Sequence, residues 1–497
     1  MFKRFEKKKI NHGKKGSLQN LLEACQQSTD FMSFRVSDRS PFCLHYVEPL
    51  VEEHLVHDEV LTHTKKKEMR TLVDLKRTIP IEKAKIISNV TDIEDDLMRG
   101  HIIIQVKGQD QEVLSLPAEK NEQRSVDIPE NEFTVSGPKE AFIESLDVNL
   151  NLIRKRLPIS ELVIEETKVG RLSQSRVAIL YIEGITDPQL VQTLRQRIHD
   201  ADYDEIVDSS QVVQLITDNP NSQFPQLLST ERPERVTSGL AEGKVAFTVD
   251  GSPQTVVGPS NFMTFFSSPE EHYFLWPISM AIRLIRIVAL LFSVHATAFY
   301  VAITSFHHEL VPDPLLETMV ASRSEVPYPS IVEVIILEIT VELLREAGAR
   351  LPSRIGQTIG IVGGIVIGTA VVEASLASSI LLITIGITAL ASFTTPVYSM
   401  GNTIRLIRFP FIVFAQWLGL FGIAACSVIY LHHLFTLTSL GHPYLAPLYP
   451  LRVSGLKDTI AKFPIQKLQR RPGVLRPQKT KRFDVKAKKH PPRDIEE

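Results

Sequence analysis

Residues 330–368 read SIVEVIILEITVELLREAGARLPSRIGQTIGIVGGIVIG, and this stretch decides the fold class of the C-terminal half. Glu338, Glu342 and Glu346 recur every fourth residue, so a helix beginning near Ser330 would carry them as one acidic line. Ile331, Val334, Ile335, Ile339, Val341 and Leu344 are expected to form an opposite, apolar side. Arg345, Arg350 and Arg354 close the helix. From Ile355 to Val372 there is no charge; Gly356, Gly360, Gly364 and Gly368 recur with the same period, and Gly363 joins them. In a bilayer a glycine ridge lets helix backbones approach closely, either as plain helix packing or as a narrow seam around a path. The glutamates and glycines are therefore the candidate pore or gating residues. The alternative is that Glu342–Arg345 and Glu346–Arg350 are intrahelical ion pairs and the glycines only pack.

The flanks extend the membrane reading. Ile287 to Phe306 is twenty residues without a formal charge, the length of a hydrocarbon core. Arg283 and Arg286 stand before it, where they are expected to snorkel to lipid headgroups. Trp276 with Phe262, Phe265, Phe266, Tyr273 and Phe274 suggests an interfacial elbow. Ala374 to Pro396 can supply a further span, and Phe409 to Leu451 a span plus a re-entrant piece, with Gly441–Pro450 inside it expected as an irregular loop near the interface. Four to six membrane segments are expected within 261–451. The positive-inside tendency places Arg345, Arg350, Arg354, Arg405 and Arg408 on the cytoplasmic side, with both termini inside.

The N-terminal half has a different composition. At 497 residues the chain exceeds one ordinary core, and a charged content of 23% is concentrated before Trp276. We expect a basic cytoplasmic tail over 1–28, a first α/β subdomain over 29–115, and a second, with its linker, over 116–260. The membrane domain and a basic tail over 452–497 follow. Strands are expected at Phe31–Val36, Pro41–Val47, His101–Val106, Arg176–Ile182, Ile206–Val207 and Lys244–Asp250. Helices are expected at Ser17–Cys25, at the end of the basic tail, and at Glu48–Lys67, Thr91–Met98, Pro138–Leu157, Pro188–His199 and Ser210–Ile216. Asp218 to Arg235, punctuated by prolines, reads as neither helix nor central strand. No internal sequence repeat is visible.

Several function classes are disfavoured. A net charge of −2 gives no nucleic-acid signal. Cys25, Cys43 and Cys426 are too few and scattered for a disulfide framework or paired-cysteine metal site. The N-terminus lacks an apolar core behind its lysines, so no cleavable signal peptide is expected. The sequence contains no phosphate loop, dinucleotide fingerprint, His-Glu-x-x-His or nucleophile elbow, so neither enzymatic activity nor a cofactor is expected.

Certain strings, in order, resemble one family. They are GPKEAF at 137–142, NLNLIRKR at 149–156, YIEGI at 181–185, DNP at 218–220, FPQ at 224–226 and TERP at 230–233. VPYP at 326–329, ELLREAGAR at 342–350 and IVGGIVIG at 361–368 follow in the membrane half. Together they resemble the A subunits of bacterial spore germination receptors, the GerA family. The resemblance implies a subunit of a nutrient receptor in the spore inner membrane, with a cytoplasmic soluble region. It implies partners as well: membrane lipids, a transporter-like B subunit, a lipoprotein C subunit, and further copies of itself in an ion-conducting ring. Ala298-Phe299 before Tyr300, and Thr369 after Gly368, depart from the family pattern. They leave open a sporulation-operon paralogue that amplifies ion release without sensing nutrient. A non-conducting scaffold is the rival reading.

Overall fold

A computed structural model describes residues 17–482 except 38–39, 65–70, 108–111, 121–131, 133, 135, 351–363, 365–367, 453–454, 457–458 and 460–462. The soluble half is built twice on one plan. Helix α1 (Leu18–Cys25) precedes strands β1 (Phe31–Arg35) and β2 (Phe42–Val47). A π-helical turn, Leu55–Leu61, runs into α2 (Thr62–Thr64), followed by α3 (Leu72–Thr78), β3 (Lys85–Ile87), α4 (Val90–Leu97), β4 (His101–Val106) and β5 (Val113–Pro117). The second unit repeats the order: α5 (Leu146–Arg156), β6 (Leu162–Val169), β7 (Ser175–Ile182), α6 (Pro188–His199), α7 (Ser209–Ile216), β8 (Leu228–Thr230), α8 (Pro233–Glu242), β9 (Val245–Val249) and β10 (Thr255–Gly258). Both sheets are wholly antiparallel, with strand orders β1-β2-β4-β5-β3 and β6-β7-β9-β10-β8. The internal duplication that the sequence does not display is thus present in the topology.

Side-chain alternation explains the layering. On β7, Val177, Ile179 and Tyr181 face the apolar sides of α6 and α7, whereas Ala178, Leu180 and Ile182 face α5 and α8. Helices thus cover both faces, and apolar residues are needed at every position; Val245–Val249 is buried throughout. The first sheet follows suit, with Ile102 and Ile104 on one face, Ile103 on the other, and all three fully buried as their run suggested. Leu18, Leu21 and Cys25 pack with Ile93 and Leu97, so α1 belongs to the first subdomain rather than to a basic tail. Burial pushes the Cys25 thiol up to about 12. The two units are joined through a buried ion pair, with Arg154 Nε on Asp30 at 2.9 Å and Thr29 N–H on the Ile164 carbonyl at 2.8 Å.

Local readings change in four places. The helix expected from Pro138 begins only at Leu146, because the Asn149 side chain accepts from Ile143 N–H and donates to its carbonyl, holding the preceding chain extended. Ile206–Val207 is not a strand. The proline-rich 218–235 path contains edge strand β8 and the start of α8, whose Pro233 takes the first-turn position that proline tolerates. The described C-terminal residues up to Arg482 are docked rather than free: Gln478 N–H bonds the Ile185 carbonyl at 2.9 Å, Arg482 pairs with Glu242 at 2.8 Å, and Leu475 is buried.

The helical half begins with α9 (Trp276–Phe306), continues through α10 (Asp313–Arg323) and α11 (Ser330–Arg350), and resumes with α12 (Ser379–Ser392), α13 (Tyr398–Leu418) and α14 (Leu420–Thr436). Among the described residues, α9 is the single helix long and apolar enough to cross a membrane by itself; α12 and α14 are apolar but shorter. α9 packs against α11, α12, α13 and α14. Gly419 turns α13 sharply into α14 with φ +58°, and at Gly422 a Cβ would stand 1.9 Å from the Phe414 carbonyl oxygen.

Candidate gating and coupling site

The buried stripe of α11 is Ser330, Glu333, Val334, Leu337 and Glu338, whereas Ile336, Ile339 and Leu343 are exposed. Most of the expected apolar side does pack inward, with Val334 buried and Ile331, Ile335 and Val341 against the same core, whereas Ile339 turns out. Glu333 and Glu338 point inward beside them, where a carboxylate must find a partner inside the protein. Glu338 is 1% exposed and meets Arg408 of α13, which is equally buried. Arg408 also donates through Nε to the Ser293 carbonyl of α9 at 2.9 Å and through Nη2 to Ser293 Oγ at 3.0 Å. Three helices are tied through one guanidinium. Arg408 therefore lies inside the bundle rather than at a cytoplasmic flank. The buried Thr297 of α9 lies beside the same carboxylate as a side-chain hydrogen-bond partner.

Glu342 pairs with Arg345 at 2.9 Å and reaches Arg405 of α13 at 3.6 Å. Glu346 pairs with Arg350 on the exposed end of the helix. Both are the intrahelical pairs that the spacing allowed. Glu333 lies outside the four-residue register and was not among the expected site residues. It is fully buried, bonded to Arg323 of α10 at 3.0 Å, and accepts from Ser378 N–H at 3.4 Å, at the N-cap of α12. Tyr300 Oη to Ser378 Oγ and Thr304 Oγ1 to Ser330 Oγ, each at 2.8 Å, complete this end of the bundle.

The glycine ridge is described in part. A Cβ at Gly364 would meet none of the described residues within 4 Å, whereas Gly368 is buried, its nearest described neighbour being Leu382 at 3.6 Å. Gly356, Gly360 and Gly363, with Arg354, lie outside the described residues.

At the opposite end of α9, Trp276 is the first helical residue and is half exposed. Arg283 and Arg286 are not extended toward headgroups, and α9 starts eleven residues before the expected span. Both arginines pair with Glu271, which is 2% exposed and lies in the 3-10 turn Pro269–His272. Two guanidiniums on one buried carboxylate clamp α9 to the soluble half; the carboxylate draws them inward because it has no access to water.

A second joint lies between the halves. The loop at 217–227 sends Gln223 O to accept from Thr403 Oγ1 of α13 at 2.6 Å and Ser222 Oγ to His433 Nε2 of α14 at 2.9 Å. Phe224 lies among Phe262, Tyr430, His433 and Tyr444. Asp218 accepts from Arg197, from Thr438 Oγ1, and from the N–H groups of Leu440 and Gly441 at 3.0 and 2.9 Å. Burial acts to raise its pKa, but these donors outweigh burial and hold the carboxyl below its ordinary range. The loop gives α13 and α14 a direct mechanical link to the second sheet.

Residues 18–474 match the family described as the Bacillus/Clostridium GerA spore germination protein. The chain belongs to the GerA family. Among its relatives, spore germination protein GerQA of Bacillus cereus is 46% identical over 94% of either chain. The membrane protein YfkQ of Bacillus subtilis, whose function is uncharacterised, is 32% identical, covering 94% of this chain and 92% of its own. The crystal structure of the N-terminal domain of the A subunit of the Bacillus megaterium germinant receptor GerK3 covers 49% of this chain and 94% of its own, at 24% identity and a TM-score of 0.37. The matched GerA region includes both soluble units and all the helices above, so the Asp218 joint, the Glu271 clamp and the Glu338–Arg408 pair fall within it.

Proposed function

We propose that the chain is the A subunit of a nutrient germinant receptor in the spore inner membrane, and that copies of it assemble into an ion channel opened when germinant is sensed. Its soluble half lies on the cytoplasmic side, in keeping with the basic residues at both ends. A transporter-like B subunit and a lipoprotein C subunit complete the receptor. The observation that carries the channel reading is Gly364: it lies in an uncharged segment, and among the described residues nothing occupies the space where a side chain would begin. A neighbouring copy or a conducting path can occupy that space. The exposed apolar faces of α11 and α12, including Leu343, Ile383 and Leu390, suit lipid or a second copy. In this reading Glu338 serves as an internal brace rather than as part of an open acidic ring, a role supported by its pairing with Arg408.

The same pairing favours a second reading, a non-conducting scaffold that couples the soluble half to its partners. Flux from potassium-loaded liposomes containing the full chain, measured beside its oligomeric state, separates the two. With Gly364→Leu the channel reading expects assembly to persist and flux to fall. A scaffold shows no flux in either form and loses assembly. If Gly364→Leu leaves a measurable flux and the assembly both unchanged, this segment does not line the path.

A further inference from the structure

Three stretches distant in sequence enclose a cavity of about 520 Å³ at the soluble end of α9: α8 with the turns after β10, the chain from His442 to Arg452, and the docked segment from Arg470 to Arg482. Arginines dominate its polar wall. Arg235 and Arg283 are compensated by Glu132 and Glu271. Among the described residues Arg452 and Arg471 have no carboxylate partner: Arg452 donates to the Gly473 carbonyl at 2.7 Å, and Arg471 donates to the carbonyls of Ala241, Lys479 and Lys481 at 2.7, 2.9 and 2.6 Å. Arg482 shares Glu242 with Lys244, and its buried Nε has no acceptor among the described residues. Burial and the neighbouring Arg482 both weaken the Arg471 guanidinium's hold on its proton. The wall thus holds surplus positive charge and an unused donor around space large enough for a small anion.

We propose that this cavity binds a phosphate-bearing anion, which fastens the C-terminal segment to the second subdomain. Phosphate fits the donors because guanidinium forks match its oxygens in geometry and charge. The cavity adjoins the start of α9, the helix apolar and long enough to cross a membrane, so an anionic lipid headgroup and a soluble phosphate are both sources of that chemistry. The site goes beyond the channel reading and stands without it.

The test is amide hydrogen exchange over residues 470–482 of the full chain. One arm compares nanodiscs of phosphatidylcholine with nanodiscs containing phosphatidylglycerol; the other titrates inorganic phosphate into detergent-solubilised protein against chloride at equal ionic strength. Phosphatidylglycerol or phosphate should slow exchange in this segment by about tenfold, the effect of one charge-assisted hydrogen bond. Arg471→Gln with Arg482→Gln should abolish the response. Arg452→Gln, on the exposed rim, leaves the segment docked and should raise the half-saturating concentration by about tenfold. Protection by phosphate alone assigns a soluble ligand, and protection by phosphatidylglycerol alone a lipid. No protection in either arm, equal protection by chloride, or an unchanged response in Arg452→Gln would overturn the site.

Discussion

Replacing Arg408 with methionine tests the internal bracing of the helical half. The guanidinium and the Glu338 carboxylate are each 1% exposed, so Arg408→Met strands a carboxylate away from water and removes the donors on Ser293 O and Oγ. Breaking such a buried pair from one side costs about 3–5 kcal/mol. Removing both charges together, Glu338→Leu with Arg408→Met, is expected to cost less than about 1 kcal/mol, since apolar replacements of both members of a buried pair are often neutral. The two single costs therefore do not add, and the coupling energy of the double-mutant cycle is at least about 5 kcal/mol. Thermal unfolding of the detergent-solubilised full chain, with the four members of the cycle compared in one detergent, measures it. A cost below 1 kcal/mol for Arg408→Met, or additive costs across the cycle, would refute the placement of this pair inside the bundle.

Three further outcomes follow from other parts of the molecule. Asp218→Asn is expected to loosen the stretch after α14, seen as at least tenfold faster amide exchange at Leu440 and Gly441, because a neutral amide accepts weakly where four donors converge. Since the folded Asp218 carboxyl titrates below its ordinary range, this docking should be intact above about pH 4 and lost as pH falls through the folded value. His45, buried beside Ser33, has its pKa pushed by burial from 6.5 to about 4, so the unfolded chain takes up a proton first as pH falls between those values. Wild-type stability should drop by about 3 kcal/mol across that interval, and His45→Phe should flatten this part of the stability–pH curve. Gly422→Ala should prevent α13 and α14 from closing on each other, because its Cβ meets backbone rather than a movable side chain; chymotrypsin cleavage at Trp417 or Phe421 would report the opening.

The elements most legible in the sequence were those whose own residues settle their conformation. His101–Val106 and Pro188–His199 end where periodicity and capping place them, with Asp187 capping α6 through the Gln189 N–H. Strand β6 was missed because LVIEETKV alternates over only half its length, and β8 and β10 are three and four residues long. In α11 the four-residue spacing identified charged positions correctly but not their direction, because direction depends on Arg408 and Arg323, which lie on other helices. Glu333 escaped because it stands five residues from Glu338, outside the repeat. The Asp218 joint has no local signature at all: its partners lie more than two hundred residues downstream and on α6. The identical order of the two sheets was hidden for a related reason, since alternating apolar residues of many kinds satisfy the same layers.

The central claim, an ion path lined by the uncharged glycine segment of an assembled A subunit, is tested most directly by single-channel recording of the purified full chain in a planar bilayer. The account predicts discrete currents from the oligomeric wild-type chain and their loss in Gly364→Leu at unchanged oligomeric size. Silence from a folded, oligomeric wild-type sample, or currents of equal size in Gly364→Leu, would contradict it.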